Sequence, residues 1–84
     1  MGLDAAQEKE LARVLEISFP GKQREVGTLP RARTEGEMVI VKVHANYESL
    51  DFQDRRHRAF VMLRASGMNE MCDRLSISQY RTGD

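Results

Sequence analysis

The sequence predicts an α+β fold with the element order α-β-β-α-α-β, in which a three-stranded mixed sheet carries the helices on one face. Two segments have apolar residues at the three-to-four spacing of amphipathic helices, and a run of β-branched residues between them indicates a strand. The chain has 84 residues, of which 40% are hydrophobic and 31% charged, so we expect one globular domain over residues 1–84. A domain of this size buries only about 60–65% of its unfolded surface, which leaves little volume for a deep pocket.

The first helix is predicted to begin after Asp4, whose side chain can accept a hydrogen bond from the first turn. Phe19-Pro20-Gly21 ends the helix, because proline removes a backbone donor and glycine supplies a flexible residue. The predicted apolar stripe consists of Leu11, Val14, Leu15 and Ile17.

Two strands follow, and the second is the stronger prediction. Residues 22–29 form a weak strand candidate because their apolar residues are sparse and Gly27 interrupts them. Residues 30–36 have the composition of a connecting loop, with Arg31 and Arg33 exposed. Residues 38–45 contain a continuous apolar run that then alternates with Lys42 and His44, which predicts the central strand of the sheet.

The second half of the chain predicts a long helix, a short helix and a last strand. Asp51 is expected to cap a helix over residues 52–66, which Gly67 ends. Residues 68–73 can form a further helical turn, and residues 75–80 alternate as a strand with Leu75 and Ile77 on one face. The apolar face of the long helix is predicted from Phe52, Ala59, Phe60 and Leu63.

Charge and cysteine content narrow the possible roles. Thirteen basic and thirteen acidic residues give a net charge of zero, which disfavours tight non-specific binding to nucleic acid. Cys72 is the single cysteine, so an internal disulfide is excluded and a reducing compartment, the cytoplasm or another intracellular one, is expected. The sequence has no apolar run of about 20 residues, as a membrane-spanning helix would need.

Arg56-His57-Arg58 follows a hydrophobic strand and a polar turn. This motif matches the Arg-His-Arg that opens the main helix of the BolA family, whose fold is shared with type II KH domains. The resemblance covers the segment from 39 to 82. It implies a non-enzymatic partner of monothiol glutaredoxins, acting with glutathione in iron–sulfur cluster handling or iron-linked regulation. In that setting the histidine of the motif is a ligand of a shared cluster, a role that falls here on His57.

Three other sites of possible chemistry remain open. Arg55, Arg56 and Arg58 could bind an anion, nucleic acid, or a carboxylate- or thiolate-bearing partner such as glutathione. His44 and Cys72 are possible secondary ligands, although a strand histidine and a lone cysteine are more often structural.

Two alternatives stand beside the adaptor. One is a nucleic-acid-binding transcriptional regulator that uses the arginine-rich helix start, although the chain lacks the Gly-x-x-Gly loop of RNA-binding KH domains. The other is a small subunit or assembly component of a larger complex. We expect no enzymatic activity, because the sequence has no phosphate-binding glycine loop, no Cys-x-x-Cys pair and no His-Glu-x-x-His motif.

Overall fold

The computed structural model describes residues 3–30 and 36–83. Within these residues the chain follows the predicted order of helices and strands. The elements are α1 (Ala5–Ser18), β1 (Gln23–Pro30), β2 (Glu37–His44), α2 (Ser49–Ala65), α3 (Asn69–Arg74) and β3 (Leu75–Tyr80). None of these helices is long and apolar enough to cross a membrane.

The sheet has the strand order β1-β2-β3, with β2 in the centre as predicted. β1 pairs with β2 in antiparallel fashion, and β2 pairs with β3 in parallel. Val39, Val41 and Val43 are buried, whereas the residues between them are half-buried or exposed. Because neighbouring residues of a strand point to opposite faces, this alternation confirms that the helices cover one face and leave the other open.

Helix α1 begins with a capping box, which confirms Asp4 as its N-cap. The Asp4 carboxylate accepts a hydrogen bond from the Gln7 backbone at 2.8 Å, and the Gln7 side chain accepts one from the Asp4 backbone at 3.1 Å. The prediction for Ile17 was wrong, since its side chain is 46% exposed. Ser18 is buried in its place, because it lies at the next position of the three-to-four spacing after Val14.

Helix α2 begins earlier than predicted, and Asp51 is not its N-cap. Glu48 occupies that position without a side-chain hydrogen bond to the helix. The backbone N–H of Phe52 donates to the Glu48 carbonyl at 2.8 Å, so Asp51 already lies in the first turn. There its carboxylate accepts a hydrogen bond from the Arg55 side chain.

The end of α2 confirms the prediction for Gly67, which has a φ of 81°. The Gly67 N–H donates to the Arg64 carbonyl, and the Met68 N–H donates to the Leu63 carbonyl, both at 2.9 Å. This pair of bonds is a Schellman motif, in which the residue after the helix adopts a left-handed conformation that glycine adopts most easily.

Strand β1 has the predicted length but lies one residue further along the chain, so it includes Pro30. Proline is compatible with β1 because an edge strand has one side on which no ladder hydrogen bond is required. The predicted loop over residues 30–36 therefore begins later, and its residues 31–35, with Arg31 and Arg33, lie outside the described residues.

The core lies between the covered face of the sheet and the helices. Phe19 is fully buried, and its ring lies against Tyr47 and Phe52, with centroid separations of 6.0 Å and 5.6 Å. The other core side chains come from all three helices, from β2 and β3, and from the residue after β2: Leu11, Val14, Leu15, Val39, Val41, Val43, Ala45, Ala59, Leu63, Met71, Cys72, Leu75 and Ile77.

Candidate functional site

Helix α2 places His57 at the surface because its opposite face is fixed in the core. Phe52, Ala59 and Leu63 are buried and hold the helix against the sheet and α1. Successive residues of an α-helix are about 100° apart around its axis, so His57 points away from the direction of Ala59. The imidazole is exposed to solvent.

A shallow groove of about 500 Å³ lies beside the His57 ring. Its lining side chains combine an imidazole, two guanidinium groups and a carboxylate around a half-buried aromatic ring. They are Gln53, Asp54, Arg56, His57, Phe60 and Arg64. Four of these positions follow each other at spacings of four, three and four residues, so one face of α2 supplies the groove.

Two arginines contribute positive charge to this groove, and only Arg56 was among the predicted binding residues. The Gln53 side-chain oxygen accepts hydrogen bonds from Nε and Nη2 of Arg56, at 3.2 and 2.7 Å, and so fixes its guanidinium near His57. Arg64 lies seven residues after His57, a helical spacing that could have identified it from the sequence. Phe60, predicted as a core residue, lines the groove while packing partly against the core.

Arg55 is held elsewhere and is not one of the groove-lining residues. Its Nη1 donates to the Ser18 carbonyl at 3.2 Å, and its guanidinium carbon lies 4.5 Å from the centroid of the Tyr47 ring. Its Nε also donates to the Asp51 carboxylate at 3.2 Å. Arg55 thus joins α2 to the C-terminal end of α1.

Arg58 is exposed and does not line the groove. Within residues 3–30 and 36–83, its guanidinium makes no hydrogen bond or ion pair. The three predicted arginines therefore lie in three different environments, although they lie within four residues of one another.

His44 lies on the open face of the sheet, away from the helices that carry His57. Its Nε2 is 2.5 Å from a carboxylate oxygen of Glu25, and its ring meets Tyr80 edge-on, with centroids 5.1 Å apart. The structure therefore does not bring the two histidines together.

Cys72 is buried in α3 beneath the end of α2. Its thiol lies 3.7 Å from the Phe60 carbonyl, to which it can donate a weak hydrogen bond. Burial raises the pKa of the Cys72 thiol, which disfavours the thiolate that acts as nucleophile or metal ligand.

The groove contains two kinds of side chain that can ligate a metal, the His57 imidazole and the Asp54 carboxylate. The part of the chain described by the structure contains no group of three or more His, Cys, Asp or Glu side chains that could together hold a metal ion. His57 offers one accessible ring nitrogen.

Comparisons with family models, with curated proteins and with solved structures found no match to this chain. The structure itself defines a small α+β protein with a three-stranded mixed sheet. On the outer face of its longest described helix it presents one imidazole between two guanidinium groups.

Proposed function

We propose that this protein is a non-enzymatic, BolA-like adaptor that binds a monothiol glutaredoxin and takes part in iron–sulfur cluster handling or iron-linked regulation. The observation that supports this proposal most is the exposed His57 ring beside an open groove. The α-β-β-α-α-β order is compatible with the resemblance carried by Arg56-His57-Arg58.

In this proposal each groove residue has a separate task. His57 offers a ring nitrogen as a ligand, and Gln53 keeps Arg56 oriented beside it. Arg56 and Arg64 attract the carboxylates of glutathione held by the partner, because guanidinium groups bind carboxylates with directed hydrogen bonds. The cluster, when bound, supplies the redox and iron-transfer chemistry, and this chain supplies a ligand and a docking face.

The proposal is tested by mixing the purified chain with a monothiol glutaredoxin, glutathione, iron and sulfide, and recording the visible absorption spectrum. We expect a heterodimer whose spectrum differs from that of the glutaredoxin alone. The His57→Ala variant should lose this difference. An unchanged spectrum in His57→Ala would show that the ligand assignment is wrong.

His44→Ala is the matched control, because it removes the same side chain from the open face of the sheet. It should keep the wild-type spectrum. Size-exclusion chromatography of each mixture separates loss of the ligand from loss of the complex, since a ligand variant can still bind its partner through the groove arginines.

A further inference from the structure

Strand β1 is an open edge of the sheet with apolar side chains on both of its faces. In the described residues it pairs only with β2, and seven of its eight residues are exposed. Val26 pairs with the buried Val41 and so faces the helices, yet it is 50% exposed. Leu29, on the opposite face, is also exposed. Exposed edge strands readily accept another strand.

A groove of about 510 Å³ opens between β1 and α1 on the helix side of the sheet. Val26 remains half-exposed in this groove, and α1 packs mainly against α2. The groove lining is mainly apolar, with one acidic and one basic side chain: Leu3, Glu8, Leu11, Ala12, Leu15, Arg24, Val26, Gly27 and Thr28.

The geometry points to a second copy of this chain as the occupant, with the two β1 strands paired in antiparallel fashion about Val26 to form a continuous six-stranded sheet. This pairing places the Val26 side chains of both copies side by side on the helix side of the joined sheet. It uses β1 and α1, so it does not depend on the role proposed for His57.

Charge selects the register of this pairing. A two-fold axis at Arg24 or at Glu25 would place identical charges directly opposite each other, which is destabilising. An axis at Val26 instead places Arg24 opposite Thr28 of the second copy. An axis at Gly27 would move Arg24 beyond Thr28 and separate the two Val26 side chains.

The Val26 register also brings opposite charges together. The connection between α1 and β1 is the short segment 19–22, and Arg24 of β1 lies 3.6 Å from Glu16 of α1. The two elements are therefore antiparallel neighbours, with Glu16 and Arg24 at the same level. Glu8 lies about 12 Å back along α1 from Glu16, and Thr28 lies about 14 Å along β1 from Arg24. Glu8 and Thr28 are therefore roughly level in the groove.

In this register Arg24 of the second copy lies opposite Thr28 of the first copy, and therefore next to Glu8 of the first copy. Within residues 3–30 and 36–83, the Glu8 carboxylate has no ion-pair partner. The two-fold axis repeats this contact, so in each dimer both Arg24 guanidiniums, each 3.6 Å from Glu16 of its own copy, also face the Glu8 carboxylate of the other copy. This complementarity favours a second copy over an unrelated strand.

Sedimentation equilibrium of the intact chain over a wide concentration range tests the inference. We expect a monomer–dimer equilibrium with a dissociation constant of about 100 µM or tighter. Val26→Lys, which opposes two like charges at the axis, should weaken the dimer at least about tenfold. Val61→Lys is the matched control, since Val61 is 47% exposed on α2, and it should leave the equilibrium unchanged.

Cysteine substitution tests the register. Val26→Cys should form a disulfide-linked dimer under mild oxidation, because the two β-carbons meet at the axis. Glu25→Cys should cross-link much more slowly, since its symmetry mate is displaced along the strand; Cys72 is buried in both variants. A chain that stays monomeric up to about 1 mM, or that cross-links faster through position 25 than through 26, overturns the inference.

Discussion

Arg55 is predicted to stabilise the fold, because its side chain links α2 to the C-terminal end of α1. Its guanidinium donates to the carbonyl of Ser18, the last residue of α1, and lies over the Tyr47 ring. The last turn of α1 contains no basic residue of its own. Arg55 therefore places a positive charge at the negative end of the α1 dipole, where cations are favourable.

The contacts of Arg55 allow an estimate of the stability lost in Arg55→Ala. A hydrogen bond from a charged donor contributes about 1.5–3 kcal/mol, a cation–π contact about 0.5–1 kcal/mol, and an exposed ion pair spaced i,i+4 about 0.3–0.5 kcal/mol. The Arg55 side chain is 27% exposed, so solvent weakens these contributions. We expect Arg55→Ala to lower the free energy of unfolding by about 2 kcal/mol.

Urea denaturation followed by circular dichroism measures this loss, with Arg58→Ala as the control. Arg58 is exposed and makes no hydrogen bond or ion pair within residues 3–30 and 36–83, so its removal should change stability by less than about 0.5 kcal/mol. If Arg55→Ala and Arg58→Ala are equally stable, the structural role of Arg55 is refuted.

Two further predictions concern Gly67, which follows the end of α2, and Glu10 in the middle of α1. Gly67→Ala should lower the free energy of unfolding by about 1 kcal/mol in the same urea assay, because alanine is strained at a φ of 81°; a variant as stable as wild type would contradict the Schellman motif. The Arg13 guanidinium, helped by the Ser66 hydroxyl, lowers the pKa of the Glu10 carboxyl from 4.5 to about 2. Since the folded pKa is the lower one, this stabilisation is present above pH 4.5 and is lost as the pH falls towards about 2. Urea unfolding between pH 6 and pH 2 should therefore show a smaller acid-induced loss in Glu10→Gln than in wild type, and equal losses would refute the assignment.

The overall fold could be predicted from the sequence because its signals are local and repeat with the period of each element. Alternation at Leu75 and Ile77 located β3, and glycine chemistry at Gly67 located the end of α2. The failures lie where the sequence pattern left the start or the phase of a helix open. Asp51 resembles a helix cap, but α2 begins at Ser49 and Asp51 bonds Arg55 inside the first turn. Ile17 lies outside the buried stripe of α1, which continues from Leu15 to Ser18.

The candidate site was only partly predictable, because adjacent residues of a helix point in different directions. Arg55, Arg56 and Arg58 form one basic cluster in the sequence, yet only Arg56 lines the groove. Arg64 also lines the groove, but it lies seven residues after His57 and so outside the Arg56-His57-Arg58 motif. The open groove beside β1 could not be anticipated, since it depends on how far α1 extends across the sheet.

The proposed ligand role of His57 is tested most directly by pulsed electron paramagnetic resonance of the reduced cluster in a complex with a monothiol glutaredoxin. If His57 ligates the cluster, the wild-type complex and the His44→Ala complex both show a nitrogen hyperfine coupling from a coordinated imidazole. That coupling should disappear in His57→Ala. A coupling that persists in His57→Ala, or that is absent from the wild-type complex, would show that His57 is not a ligand.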